Sequence, residues 1–216
     1  MSEQPPLQNR VDPWGQLQPV RARGSLMGNR GILHVGNDIV RRWATKAWVT
    51  CVLDATFQKR SPFSPGTYSE LFFLDEATAF AAGHRPCRVC QRQRHDQFNT
   101  DWTAANAATT ARTRLPIADI DKALHAERTR PDKSKRTYTA TVADLPPGTF
   151  FEHAGRARLV WPTGLLAWTF HGYTKGDPLA PDAQVEVLTP RSIVQLFRSG
   201  FRPGVHASAN APYLSH

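Results

Sequence analysis

A pair of cysteines two residues apart is the clearest chemical feature of this sequence. In the run Cys87-Arg88-Val89-Cys90 the spacing lets both sulfurs turn towards one metal ion. A turn that leads into a helix also favours the thiolate form that metal binding needs. Zinc is the metal that we expect here. A structural zinc ion takes four protein ligands and a catalytic one takes three plus water, so the pair is half a site.

The other ligands must come from elsewhere in the chain. Cys51 lies in an earlier predicted strand, from which it would meet the pair in a ribbon-plus-helix arrangement. His95 follows Cys90 by five residues, slightly more than one helical turn, and His125 lies on a separate predicted helix. Each candidate has a plainer interpretation, since a buried cysteine is commonly an apolar core residue and a lone helical histidine is commonly solvated.

Short strands and helices are predicted around the pair. Residues 48–53 are β-branched and aromatic, and residues 70–74 form a short apolar run, so both predict strands. Asp75 is placed to cap a short helix, and Gly83 is placed to end it. A second helix is expected over residues 87–106, with its apolar side chains on one face. These elements would present the cysteines between a strand and a helix.

The second half of the chain predicts two further helices and several strands. Residues 116–128 form an apolar stripe after a proline, which is typical of a third helix. Residues 149–170 and 185–188 predict strands, and residues 190–200 predict a helix that ends at a glycine. We expect a small antiparallel sheet in this part of the chain.

Together these patterns predict an α+β fold in a single domain, residues 1–216. A zinc-ribbon-like strand and helix core with short helices is expected over residues 48–106. Residues 1–37, rich in glycine, proline and arginine, predict an irregular basic segment. Residues 137–216 predict a strand-rich C-terminal region that contains the small antiparallel sheet.

A family resemblance covers residues 72–90, which have the sequence FFLDEATAFAAGHRPCRVC. This stretch resembles the second half of the Ada-type zinc-binding domain, where an aromatic strand and an alanine-rich helix lead to Gly-aromatic-Arg-Pro-Cys-x-x-Cys. That family binds zinc through four cysteines, contacts DNA phosphates and uses one cysteine to accept a methyl group from a phosphotriester. The resemblance implies zinc binding by Cys87 and Cys90 and a DNA contact by Arg85.

The resemblance is partial. It extends at most over residues 70–92, about a tenth of the chain. The family's first cysteine pair would fall between Phe57 and Ser64, and this sequence has no cysteine there. Methyl acceptance is therefore not implied, and a zinc-ribbon-like scaffold with a substituted ligand set is what remains.

A catalytic zinc site is the alternative. Pro86 and the cysteine pair resemble the Pro-Cys-x-x-Cys of zinc-dependent nucleoside deaminases, and His125-Ala126-Glu127 resembles their His-x-Glu. The resemblance implies that His125 and both cysteines bind zinc while Glu127 moves protons for a zinc-bound water. The two motifs occur in the opposite order in that family. Residues two apart on a helix point to nearly opposite sides, so a shared site requires the helix to end or distort there.

Basic residues exceed acidic ones. The chain has 27 Lys and Arg against 18 Asp and Glu, a formal net charge of +9 and a sequence pI near 10.0. Such an excess attracts polyanions, and nucleic acid is the commonest of these, although a merely basic surface is the plainer alternative. The predicted phosphate contacts outside the resemblance are Arg42, Arg92, Arg94, Lys133, Lys135 and Arg136.

Several classes of protein are disfavoured. The sequence has no apolar stretch long enough for a membrane-spanning helix, and its first residues lack an apolar signal region, so we expect a cytoplasmic protein without membrane contact. Three cysteines are too few for a disulfide framework. No Gly-x-Ser-x-Gly elbow, Walker sequence or dinucleotide fingerprint occurs, which disfavours serine hydrolases, nucleoside triphosphatases and classical dehydrogenases.

Three functional hypotheses follow. The leading one is a zinc-containing protein that binds nucleic acid, with DNA favoured, in DNA repair or in modification-linked processing of DNA. The second is a zinc-dependent hydrolase, nuclease-like or deaminase-like, that acts on a nucleic-acid component or a small anionic substrate. The third is an interaction module in which zinc is purely structural.

Overall fold

The computed structural model describes residues 5–53, 60–107 and 110–211. These residues have an α+β fold, which confirms the predicted class. They contain two six-stranded sheets, a two-stranded hairpin and four α-helices. None of the helices in the described ranges is long and apolar enough to cross a membrane.

The first sheet is mixed and is built from strands of two to four residues. The strands of this part of the chain are β1 (Arg10–Val11), β2 (Leu17–Gln18), β3 (Leu26–Asn29), β4 (His34–Val35), β5 (Asp38–Ile39), β6 (Val49–Val52), β7 (Leu71–Phe73) and β8 (Arg85–Pro86). The spatial order is β2-β1-β7-β3-β6-β8, and β4 pairs with β5 as a separate hairpin. Strand β8 runs parallel to β6 at one edge.

The N-terminal segment differs from the prediction. Residues 1–37 were expected to be irregular, yet they contribute β1, β2, β3 and β4, and β3 pairs with both β6 and β7 inside the sheet. Strands of two to four residues are too short to show an alternation of apolar and polar side chains in the sequence.

The second sheet is entirely antiparallel, which confirms the predicted small antiparallel sheet. Its order is β13-β12-β11-β10-β14-β9. Ala154 and Gly155 both have positive φ in the two-residue turn between β10 and β11, as a type I′ hairpin requires. The strands are β9 (Tyr138–Thr141), β10 (Phe150–His153), β11 (Arg156–Trp161), β12 (Gly164–Thr169), β13 (Gly172–Lys175) and β14 (Gln184–Val187).

Four helices complete the fold: α1 (Glu76–Ala81), α2 (Arg92–Asn106), α3 (Ile117–Arg128) and α4 (Arg191–Arg198). Asp75 caps α1 as predicted, since its Oδ1 accepts a hydrogen bond from the amide of Thr78 at 2.8 Å. Helix α2 starts at Arg92 and not near Cys87 as expected. The cysteine pair consequently lies in the turn before the helix.

Helix α1 lies at the centre of the core. Phe80 packs with aromatic residues of α2 and α4, Ala79 with apolar residues of the first sheet, and Ala77 with those of the second. Small alanine side chains let both sheets approach the helix closely. The helix therefore joins the two sheets and fixes the positions of β7 before it and β8 after it.

Candidate metal centre

Three cysteine sulfurs converge beside the first sheet. The Sγ atoms of Cys51, Cys87 and Cys90 all lie within 4.8 Å of one another. Cys51 is on β6, and Cys87 directly follows β8, the parallel neighbour of β6. The amide of Cys87 donates to the carbonyl of Thr50 at 2.9 Å, which extends the pairing by one residue and sets the two cysteines side by side.

Backbone and side-chain hydrogen bonds hold the cysteine turn. The amide of Gln91 donates to the carbonyl of Cys87 at 3.0 Å, and the Gln91 side chain donates to the carbonyl of Thr50 at 2.8 Å. Cys51 is buried, while Cys87 and Cys90 are half-buried. Cys87 and Cys90 therefore lie near the protein surface on a turn that is tied to β6, the strand that carries the buried Cys51.

The thiols interact strongly with one another. A hydrogen bond from the Cys51 thiol, helped by the amides of Cys90 and Val89, lowers the pKa of Cys87 to about 5. The same hydrogen bond, together with burial, raises the pKa of Cys51, and burial raises that of Cys90. The cluster consequently holds one thiolate at Cys87 at neutral pH and shares two protons among the other sulfurs.

The donor set fits zinc. Sulfurs bound to a tetrahedral zinc ion at ~2.3 Å lie ~3.8 Å apart, so three sulfurs within 4.8 Å need only small rotations to reach one ion. Soft thiolate donors also select zinc over harder cations such as magnesium or calcium.

Of residues 57–64, where the Ada-type family would have its first cysteine pair, 57–59 lie outside the described residues.

The structure does not bring the two predicted histidine ligands to the sulfurs. Among the described residues the cluster consists of the three cysteines alone. His95 is buried on α2 with its Nδ1 3.4 Å from a carboxylate oxygen of Asp96. His125 packs edge-on against Trp43, with ring centroids 5.4 Å apart. Its helix, α3, contributes no residue to the cluster.

The predicted catalytic pair is also separated. Glu127 accepts hydrogen bonds from the amide and the hydroxyl of Ser192, at 3.0 and 2.7 Å, and so caps the first turn of α4. His125 instead contacts Trp43 and the guanidinium of Arg128. Because α3 continues as a regular helix to Arg128, the two side chains point to different sides, and a deaminase-like site that uses both is not formed.

Comparison of the chain with protein-family models, curated proteins and solved structures finds no match in any of the three. The resemblance to the Ada-type domain consequently depends on residues 72–90 alone.

Two of the predicted phosphate contacts are committed to other partners. Both Nε and Nη2 of Arg85 donate to the carboxylate of Asp121 at 2.7 Å, and only 6% of Arg85 is exposed. This arginine is a buried link between β8 and α3, and its guanidinium is paired with Asp121 and not directed to a phosphate. Arg94 binds the carboxylate of Glu76 at 2.6 Å, which neutralises most of its charge, whereas Arg92 is exposed.

The other predicted basic residues lie on a different face. Arg42 donates to the carbonyl of Lys133 at 2.8 Å, and both side chains are exposed, as is Arg136. Lys135 turns inward, and its ammonium donates to the carbonyl of Ala81. A cavity of about 550 Å³, called the cationic pocket below, is lined by Arg30, Arg42, Arg128, Lys133, Lys135, Trp43 and Trp48, among others.

The sequence gives only weak signals for Arg30 and Arg128, which lie in a glycine-rich segment, residues 23–31, and at the start of a basic run, residues 128–136. They stand almost a hundred residues apart in the chain and belong to no motif. Arg23 to Gly31 is rich in glycine and arginine, but its spacing matches no phosphate-binding loop. Only the folded arrangement of β3, α3 and the loop after α3 brings these side chains to one cavity.

Proposed function

We propose that this is a zinc-binding protein that contacts nucleic acid, with DNA favoured, through the surface around its cysteine cluster. The convergence of Cys51, Cys87 and Cys90 within 4.8 Å carries the proposal. These three residues would hold the ion. Zinc would supply a crosslink between β6 and the turn before α2 and would neutralise the thiolates.

The exposed residues of the turn support the nucleic-acid contact. Arg88 lies between the two cysteines and Arg92 is the first residue of α2, and both side chains are exposed. A metal ion that fixes the turn would hold both guanidiniums in place for phosphate oxygens. The net charge of +9 would add long-range attraction to a polyanion. A role in DNA repair or modification-linked processing rests on the Ada resemblance alone.

Metal analysis tests the first half of the proposal. Protein purified without added zinc should carry about one zinc ion per chain, and the variants Cys87→Ser and Cys51→Ser should lose it, because a structural site does not tolerate the loss of a thiolate. His125→Ala is the matched control and should keep its zinc. Wild-type protein without metal, or serine variants that keep it, would refute the zinc centre.

The salt dependence of DNA binding tests the second half. Replacing Arg88 and Arg92 together by glutamine should lower the slope of log K against log salt by about 2, since each lost phosphate contact removes about one unit. Arg156→Gln, an exposed arginine at the start of β11, serves as the control. A zinc-loaded protein that binds no DNA would leave the interaction module with structural zinc as the remaining hypothesis.

A further inference from the structure

The cationic pocket gathers positive side chains without acidic ones. Seventeen described residues line it, and Asp and Glu are absent from that set. Of its cations, Arg42 and Lys133 are exposed, whereas Arg30 and Arg128 are buried. Within the described part of the chain, Arg30, Arg128 and Lys135 have no carboxylate oxygen within 4.0 Å. Buried charges in proteins are ordinarily paired, so this arrangement requires an explanation.

Arg30 keeps part of its guanidinium unused. Only 2% of the residue is exposed, and it donates from Nε to Nε2 of His84 at 3.2 Å and from Nη1 to the carbonyl of Gly15 at 3.0 Å. Its Nη2 atom is buried without a hydrogen-bond partner. The His84 ring accepts from Arg30, and burial holds the pKa of that ring well below its usual value, so the ring is neutral and supplies no countercharge.

Arg128 is in a similar state. It is 1% exposed and donates to the carbonyls of Gly83 and Lys46, both at 2.6 Å, while its Nε is buried without a partner. The guanidiniums of Arg30 and Arg128 lie 4.1 and 4.0 Å from the ring centroid of Trp48. Contact with an aromatic face stabilises a cation by less than a buried charge costs.

The lowered pKa values of the pocket cations show that burying these like charges together is unfavourable. Burial lowers the pKa of Arg30 to about 9. Burial and then repulsion from Arg30 lower the pKa of Arg128 to about 9 and that of Lys135 to about 7. Asp12, the acid that acts on Arg30 and Lys135, accepts from the amide of Gln16 at 2.9 Å and does not line the pocket.

We propose that the cationic pocket binds a phosphate monoester, with its phosphate group among Arg30, Arg128 and Lys135 and its organic part against Trp43. A phosphate dianion would supply the missing countercharge to these two guanidiniums, each of which has one buried nitrogen without a hydrogen-bond partner among the described residues. Three donors from separate chain segments suit its three terminal oxygens better than the two oxygens of a carboxylate. A cavity of about 550 Å³ exceeds the needs of phosphate alone and falls in the usual range for small-molecule sites.

Trp43 indicates the nature of the organic part. Its ring is half-buried in the pocket wall and contacts Trp48 and His125 at 5.8 and 5.4 Å between centroids. A partly open aromatic face next to a phosphate site suits a planar base. The ligand chemistry is therefore that of a nucleotide, which can come from a free mononucleotide or from the 5′-phosphorylated end of a DNA strand. This site does not depend on the zinc centre.

Calorimetric titration at constant ionic strength tests the site with four probes. Inorganic phosphate and adenosine 5′-monophosphate should bind, the nucleotide more tightly, and adenosine without phosphate should not. Short single-stranded DNA with and without a 5′-phosphate completes the comparison. Phosphate-dependent binding of DNA but not of the mononucleotide assigns the site to strand ends, and the reverse result assigns it to free nucleotides. Wild-type protein that binds no phosphate-bearing probe overturns the proposal.

Variants locate the binding. Lys135→Met should weaken nucleotide binding about tenfold, the effect of losing one charge-assisted hydrogen bond. Arg42→Gln, an exposed change that carries little risk to folding, should weaken binding about two- to threefold through lost attraction. Lys122→Met replaces an exposed lysine of α3 outside the pocket and should leave binding unchanged. Equal affinity of the wild type, Arg42→Gln and a folded Lys135→Met protein would refute this location.

Discussion

The cysteine cluster and the cationic pocket each bring three like side chains together, but they relieve the repulsion differently. In the cluster, repulsion between thiolates is avoided by protonation, because Cys87 keeps the negative charge and the Cys51 thiol donates a hydrogen bond to it. In the pocket the arginines stay charged at neutral pH, since burial lowers their pKa only to about 9. Without metal the cluster thus carries one negative charge, whereas the pocket carries several positive charges until an anion binds.

A third region shows what a countercharge changes. Arg85 is 6% exposed and Arg128 is 1% exposed, so the two arginines are buried to a similar degree. Arg85 has both oxygens of Asp121 at 2.7 Å, while Arg128 contacts carbonyl oxygens, the His125 ring and the Trp48 ring, none of which is a carboxylate. Removing the partner of Arg85 should therefore convert a paired arginine into one that resembles the pocket.

The largest effect on folding is expected from that conversion. Asp121→Asn leaves the Arg85 guanidinium buried without a negative partner and should lower the free energy of unfolding by about 3–5 kcal/mol. Denaturant unfolding measures it. Asp119→Asn, an exposed change on the same helix, should cost less than about 1 kcal/mol. A loss below about 1 kcal/mol in Asp121→Asn would show that a buried arginine needs no countercharge here.

The Arg85–Asp121 pair also marks the limit of sequence reasoning. Features that depend on neighbours within a few residues are predicted correctly from the sequence. They are the cap of α1 at Asp75, the end of that helix at Gly83 and the spacing of Cys87 and Cys90. The family resemblance predicts a phosphate contact for Arg85. Its partner in the structure is Asp121, which stands 36 residues away on another helix. Pairing over such distances leaves no spacing pattern in a single sequence.

The same dependence on partners far apart in the sequence explains why the sequence predicts the cysteine cluster but not the cationic pocket. Cys51 could be proposed as a companion of the pair because it sits in a recognisable strand, and the parallel pairing of β6 with β8 brings it there. Arg30, Arg128 and Lys135 come from segments with no shared pattern and line one cavity only in the folded chain, where Arg30 and Arg128 both contact the Trp48 ring. The strands of residues 1–37 were missed because two-residue strands are defined by their partners and not by their own side chains.

In the cationic pocket we expect a substitution to increase stability, by less than the loss expected for Asp121→Asn. Without anions, Lys135→Met should raise the free energy of unfolding at pH 6 by about 1–2 kcal/mol, because a buried ammonium is replaced by an apolar chain of similar length. The cost of the wild-type lysine is fully present below pH 7. It falls as the pH rises from about 7 towards the ordinary lysine pKa of 10.5, since only the folded protein then loses the proton.

Unfolding at pH 6 and pH 9 in phosphate-free buffer measures this trend, with Lys122→Met as the exposed control. The gain in Lys135→Met should shrink at the higher pH. A variant that is less stable than the wild type at pH 6 would mean that the hydrogen bond from Lys135 to Ala81 outweighs the burial cost, and the contrast with the cysteine cluster would disappear.

The smallest effect that we expect in the cationic pocket is the pH dependence of nucleotide binding. Below pH 7 the free pocket carries the Lys135 charge, so binding of adenosine 5′-monophosphate needs no extra proton. Above pH 7 the lysine is neutral in the free protein and must regain a proton when the dianion binds, so affinity should fall by up to about tenfold per pH unit. The phosphate itself becomes a dianion above about pH 6, which places the optimum near pH 6–7.

The groups that act on Lys135 do not account for such a slope. Arg30 and Arg128 stay protonated below about pH 9, and Asp12, whose pKa is raised by burial, does not line the pocket. Titrations from pH 6 to 8.5 should therefore give a steep decline above pH 7 in the wild type and no decline above pH 7 in Lys135→Met. A decline of equal steepness in both proteins would assign the proton to another group and remove Lys135 from the phosphate site.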